Sequence, residues 1–201
     1  MLFYLLSYPI IGAGIKYMDA AFDDGSVSKK LAIIIAPVMA ILGAYAMYVD
    51  AVSATILLAV LLGVLFTGKI DNIAHILGTV VIFPIIYFAG IDFLLIPLVI
   101  LVLGGMIDEF GNDFIDKRKD KLNMSKISSK CALLFFEQRW TLKVVIFTLV
   151  FIGLFPWYFF VSMLLFDYAY LAIGFYSDVK MGLRRPVSIR NALASIVLIF
   201  K

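Results

Sequence analysis

Carboxylates gather at four places in this chain, each where an apolar run gives out. Asp19, Asp23 and Asp24 follow the first run, and Asp71 sits with Asn72 and His75 after the third. Asp108, Glu109, Asn112, Asp113 and Asp116 crowd the fifth, and Asp178 closes the last long one. Asp19 and Asp23 lie four residues apart, as do Asn112 and Asp116, Asp116 and Asp120, and Asp71 and His75 where a helix continues through them. That interval puts side chains on one helical face. Oxygen donors without thiolates suit a hard cation, Mg²⁺ or Mn²⁺, whose shell is completed by water and substrate phosphates. Asp19, Asp23, Asp108 and Asp113 are the candidate catalytic carboxylates, and with Asp71, Asn112 and Asp116 they make the candidate metal set. Lys69, Lys117, Arg184 and Arg185 are the basic types that clamp phosphate oxygens. The competing account is solvated Asp–Lys pairing at helix ends, worth up to about 1 kcal/mol each.

The elements that must carry these groups are membrane helices. Of 201 residues, 64% are hydrophobic and 15% charged, and the mean hydropathy is +1.06. Soluble domains are roughly half apolar and a quarter charged. Apolar stretches run over Leu2–Met18, Leu31–Val49, Ala51–Thr67, Ile73–Ile91, Phe93–Ile107, Thr141–Val161 and Ser162–Tyr176, with an interfacial turn at Pro156-Trp157. A span takes about 20 residues, so the expected fold is all-α, a single transmembrane helical domain over residues 1–201 with about seven spans. Asn191–Phe200 is too short to cross and reads as a half-helix or interfacial piece. Placing the N-terminus outside leaves Asp50 and Asp92 in the outer links and sends the loop Lys and Arg residues inward. This satisfies the positive-inside rule and predicts a multi-pass cell-membrane protein with its charged loops in the cytoplasm.

In that topology the acidic clusters sit at C-termini of inward-running helices, which carry about half a negative charge and repel carboxylates. A compensating cation follows, supplied by lysine or by a divalent metal. Asp167 stands apart, within the last long helix, and intramembrane ionisable residues are functional candidates. His75 is a hydrogen-bonding residue or a ligand. Cys131 is the only cysteine, so no intrachain disulfide forms.

From Asn112 to Asp120 the chain reads N-D-x-x-D-x-x-x-D. Over these nine residues it resembles the first aspartate-rich motif of the UbiA-type intramembrane prenyltransferases, and Asp19 with Asp23 resembles the D-x-x-x-D of the second. The resemblance implies Mg²⁺ and an isoprenoid diphosphate held at the cytoplasmic face, with Asn112, Asp113 and Asp116 as ligands.

The expected function is a Mg²⁺-dependent, transferase-type membrane enzyme acting on a lipid diphosphate or nucleotide-linked lipid. Its partners are membrane lipids and a lipid-linked phosphate substrate, its oligomeric state is open, and no basic aromatic patch points to nucleic acid. A divalent cation transporter using Asp167 as a midmembrane step, or a non-catalytic scaffold, are the alternatives. No P-loop or nucleophile elbow is present.

Overall fold

The computed structural model describes residues 1–117, 131, 135–136 and 139–183. Among them stand seven helices and no strand: α1 (Leu2–Phe22), α2 (Lys29–Val49), α3 (Ala51–Phe66), α4 (Ile73–Phe88), α5 (Leu95–Asp116), α6 (Trp140–Phe151) and α7 (Trp157–Lys180). The apolar runs become helices because that conformation satisfies their own backbone polar groups. A polar residue ahead of several helices takes up first-turn N–H groups. The Asp50 carboxylate accepts from Val52 and Ser53 at 2.7 and 3.3 Å, and the Asn72 side chain accepts from the His75 N–H at 3.0 Å. Gly68, at φ +74°, turns the chain out of α3 into Lys69, a conformation that costs glycine little.

The all-α expectation is met, and that of about seven spans in part. Among the described residues three helices are long and apolar enough to cross a membrane: Lys29–Val49, Leu95–Ile115 within α5, and Trp157–Lys180. Helices α3 and α4 have 16 residues each and α6 has 12, short of the ~20 a hydrocarbon core takes. The sixth stretch also divides earlier than Val161. Helix α6 stops at Phe151, Gly153 turns the chain at φ +79°, and Pro156 precedes α7, where its missing N–H costs nothing. Helix α5 runs nine residues past Ile107, to Asp116. Asn191–Phe200 lies outside the described residues.

Six of the helices pack as a ring in the order α1, α2, α3, α5, α6, α7, with α7 returning to α1; α4 lies against α2 and touches α1. The α1–α7 seam is very close. A Cβ on Gly12 would stand 2.4 Å from the carbonyl oxygen of Phe166. The outer surface carries large apolar side chains, with Phe88 84%, Phe151 81% and Ile96 75% exposed, a surface compatible with a lipid surround.

Candidate functional site

An apolar slot of about 130 Å³ lies among α1, α2, α3 and α4, with Phe166 of α7 closing one side. Small residues open it, Ala36, Ala40 and Gly43 on α2 and Gly78 on α4. On α2 the lining runs from Ala36 to Met47. At 1.5 Å per residue that is about 16 Å, roughly half the ~30 Å hydrocarbon core of a bilayer. Only His75 and Thr79 bring polar side chains to this lining. The Thr79 hydroxyl donates its hydrogen to the His75 carbonyl at 2.8 Å.

The imidazole is held from outside the slot. Its Nε2 is 2.6 Å from Asp19 Oδ1, and the Tyr170 hydroxyl donates to Asp19 Oδ2 at 2.8 Å. Both oxygens of Asp19 are therefore engaged, by α4 and by α7. The i, i+4 pairing of Asp71 with His75 is not made, because Asn72 caps α4 and Asp71 precedes the helix.

Asp23, the C-cap of α1, is exposed, as is Asp71. Partial burial and the neighbouring carboxylates of Asp19, Asp71 and Asp24 push the Asp23 carboxyl above the usual carboxylate range, against the pull of Lys16. Repulsion of this kind marks local excess negative charge. Asp24 has its own partner, the Ser177 hydroxyl at 2.8 Å.

A second polar group forms on α5. Asp108 is 1% exposed and caps α6 from the neighbouring helix, accepting the Thr141 and Leu142 N–H groups at 2.9 and 2.8 Å. Glu109 pairs with Lys69 at 2.7 Å and Arg139 at 2.9 Å. Lys69 also reaches Asp113 at 2.8 Å. Burial works against the Lys69 ammonium, but the Asp113 and Glu109 carboxylates outweigh it and raise its pKa. The Arg139 guanidinium lies 5.2 Å from the centre of the Tyr170 ring, so the two polar groups meet there. Asp167 pairs with Lys143 at 2.6 Å. A chamber of about 30 Å³ opens among Asp108, Glu109, Arg139 and Asp167, room for a water molecule.

The candidate carboxylates are thus divided. Asp19, Asp23 and Asp71 stand at the slot end, whereas Asp108 and Asp113 serve the α5 group. Asn112 is on α5 with them. Lys117 is exposed at the end of α5. The Asp116 side chain, Asp120, Arg184 and Arg185 lie outside the described residues. Sequence reasoning missed Glu109, Arg139, Lys143 and Tyr170 as partners. Lys143 carried a signal, a lysine between Leu142 and Val144 in an apolar run.

Among the described residues, no three His, Cys, Asp or Glu side chains are grouped to hold an ion by themselves. Mg²⁺ asks less of a protein, commonly one or two carboxylates plus water and substrate phosphates. The exposed, mutually repelling Asp23 and Asp71 fit that donor set; Asp19, Asp108 and Asp113 are already engaged. Comparison with protein-family models, curated proteins and solved structures finds no match. The site must speak for itself.

Proposed function

We propose that this chain is a multi-pass membrane enzyme that transfers a lipid group from a lipid diphosphate at its charged, cytoplasmic face. The observation that carries this reading is the apolar slot ending at the Asp19–His75 pair, beside the exposed carboxylates of Asp23 and Asp71. The slot seats the apolar chain of a lipid substrate in a wall of Ala, Gly, Met and Ile. Asp23 and Asp71 hold Mg²⁺ or Mn²⁺, and the cation, when bound, neutralises charge on the departing diphosphate. With the shorter helices α3, α4 and α6 crossing as well, the links after α2, α4 and α6 lie outside, and they contain no Lys or Arg, as the positive-inside rule asks. The transporter reading is less well supported, because Lys143 already balances the charge of Asp167.

The Asp-rich motif at Asn112–Asp120 takes a different part in this proposal from the one its resemblance to the UbiA-type prenyltransferases implies. Asp113 holds Lys69 in place, and the cation belongs at the end of α1.

Thermal unfolding of the detergent-purified protein tests the assignment. A divalent cation at a hundredfold excess over its Kd stabilises the folded state by about 2.7 kcal/mol. Mg²⁺ is expected to raise the unfolding temperature of the native chain and of Asp113→Asn, but not of Asp23→Asn. Without metal, Asp23→Asn should be at least as stable as the native chain, since one repelling charge is gone. Sodium at matched ionic strength controls for screening. An undiminished Mg²⁺ gain in Asp23→Asn would remove that residue from the cation site.

A further inference from the structure

We propose that α4 is a movable wall of the slot, held in by the Asp19–His75 pair, and that its release widens the slot to admit a lipid chain. What enters rests on the reaction proposed above; the movement rests on how α4 is mounted. At about 130 Å³ the slot takes a group roughly the size of benzene, so a longer chain enters only when a wall moves. Of the sixteen residues of α4 only Ala74 and Ile82 are buried, and the helix lies against α2 and touches α1 from outside the ring. Few buried apolar side chains mark an element that opens at low cost. Small residues line its track on α2: a Cβ on Gly78 would stand 3.7 Å from the Ala36 carbonyl oxygen, and one on Gly43 3.6 Å from the end of Ile82.

Both ends of α4 offer a hinge, a role that falls to loop and helix-end residues. At the inner end Lys69 is pinned to Glu109 and Asp113 of α5, and residues 70–72 join it to α4 outside any helix. At the outer end Gly90 turns the chain at φ +59°, with open space where its Cβ would be. Against this loose mounting stands one strong polar link to α1. His75, in the first turn of α4, brings Nε2 to 2.6 Å from Asp19 Oδ1, and Tyr170 of α7 holds the other oxygen. Beside it Ala74, with Leu77 against it, joins Met18 and Ala21 of α1 in a small apolar cluster. An opposing force acts one turn further on. Asp23 ends α1 and Asp71 precedes α4, and the charge of Asp71 helps to push the Asp23 carboxyl up. Attraction at one pair and repulsion at the other thus bear on the same two helices, and a few such contacts set which position of α4 is populated.

Spin-label distances measured in nanodiscs test this. With Cys131→Ser as background, one label pair joins α4 to the ring through Val80→Cys and Leu103→Cys. A control pair joins α2 to α5 through Ile41→Cys and Leu103→Cys; all three side chains are exposed. The native chain is expected to show one dominant α4 distance. His75→Ala is expected to raise the population at a second, longer distance roughly tenfold or more, the worth of a hydrogen bond to a charged group, and to leave the control pair unchanged. His75→Gln, which keeps an N–H for Asp19, is expected to stay near the native distribution. Adding Asp71→Asn to His75→Ala is expected to draw part of the second population back, because the repulsion is gone. An α4 distance indifferent to His75→Ala, a control pair that changes as much, or His75→Gln as loose as His75→Ala would each overturn the movable wall. Mg²⁺ supplies a separate arm. Held by Asp23 and Asp71, it draws α4 back in His75→Ala as Asp71→Asn does. Mg²⁺ without effect, while the variants behave as expected, keeps the movable wall and sinks the cation assignment.

Discussion

Lys143→Ala is expected to destabilise the protein by about 3–5 kcal/mol, the cost of leaving a buried charge without its partner. Lys143 is 4% exposed and lies 2.6 Å from Asp167; its ammonium also sits 5.3 Å from the Trp140 ring centre. Truncation removes both contacts and strands a carboxylate between α6 and α7. The double variant Lys143→Leu/Asp167→Leu removes the charges together, and such replacements are often neutral or stabilising. Chemical unfolding in detergent should therefore place the single variant well below the native chain and the double variant close to it. Similar losses in both would mean that the pair contributes through packing rather than charge.

Gly12→Val is expected to cost about 3 kcal/mol or more, at the upper end of what overpacking does in a well-filled core. The first added atom would already lie 2.4 Å from the Phe166 carbonyl oxygen and 3.0 Å from its carbonyl carbon. The obstacle is backbone, which has no rotamer to offer, so α1 and α7 must part. Separating them also pulls Tyr170 from Asp19 and loosens the side of the slot that Phe166 closes. Gly43→Ala is the contrast, since its Cβ would meet only the end of Ile82 at 3.6 Å, an ordinary contact. Near-equal unfolding midpoints for the two variants would contradict the close seam.

The helices were legible in the sequence and their partners were not. Apolar runs locate a helix because hydrophobicity is a local property. Helix lengths depend on turn chemistry at Gly153 and Pro156, which moved the sixth boundary by about ten residues against the reading by run length alone. The carboxylates show the same limit more sharply. Asp108 looks like a ligand in the sequence, but in the fold it caps a helix that begins 32 residues later. The spacing of Asp19 from Asp23 points to a shared face of α1, yet the partners of Asp19 come from α4 and α7, 56 and 151 residues away. Spacing along one helix reports on one face of that helix and is silent about which residue the opposite helix supplies. His75 was visible as the chain's lone histidine, but its place in an apolar wall depends on how four helices leave room between small residues.

The central claim is a cation-dependent transfer from a lipid diphosphate at the slot end, and diphosphate release tests it most directly. The protein in nanodiscs would be given a long-chain isoprenoid diphosphate and a lipid alcohol, with inorganic diphosphate followed by ³¹P NMR. The account predicts release that needs both protein and Mg²⁺, falls roughly a hundredfold or more in Asp23→Asn, as for loss of one electrostatic contact to a developing charge, and persists in Asp113→Asn. Release no faster than in protein-free nanodiscs, or equally fast with the divalent cations chelated, would contradict it.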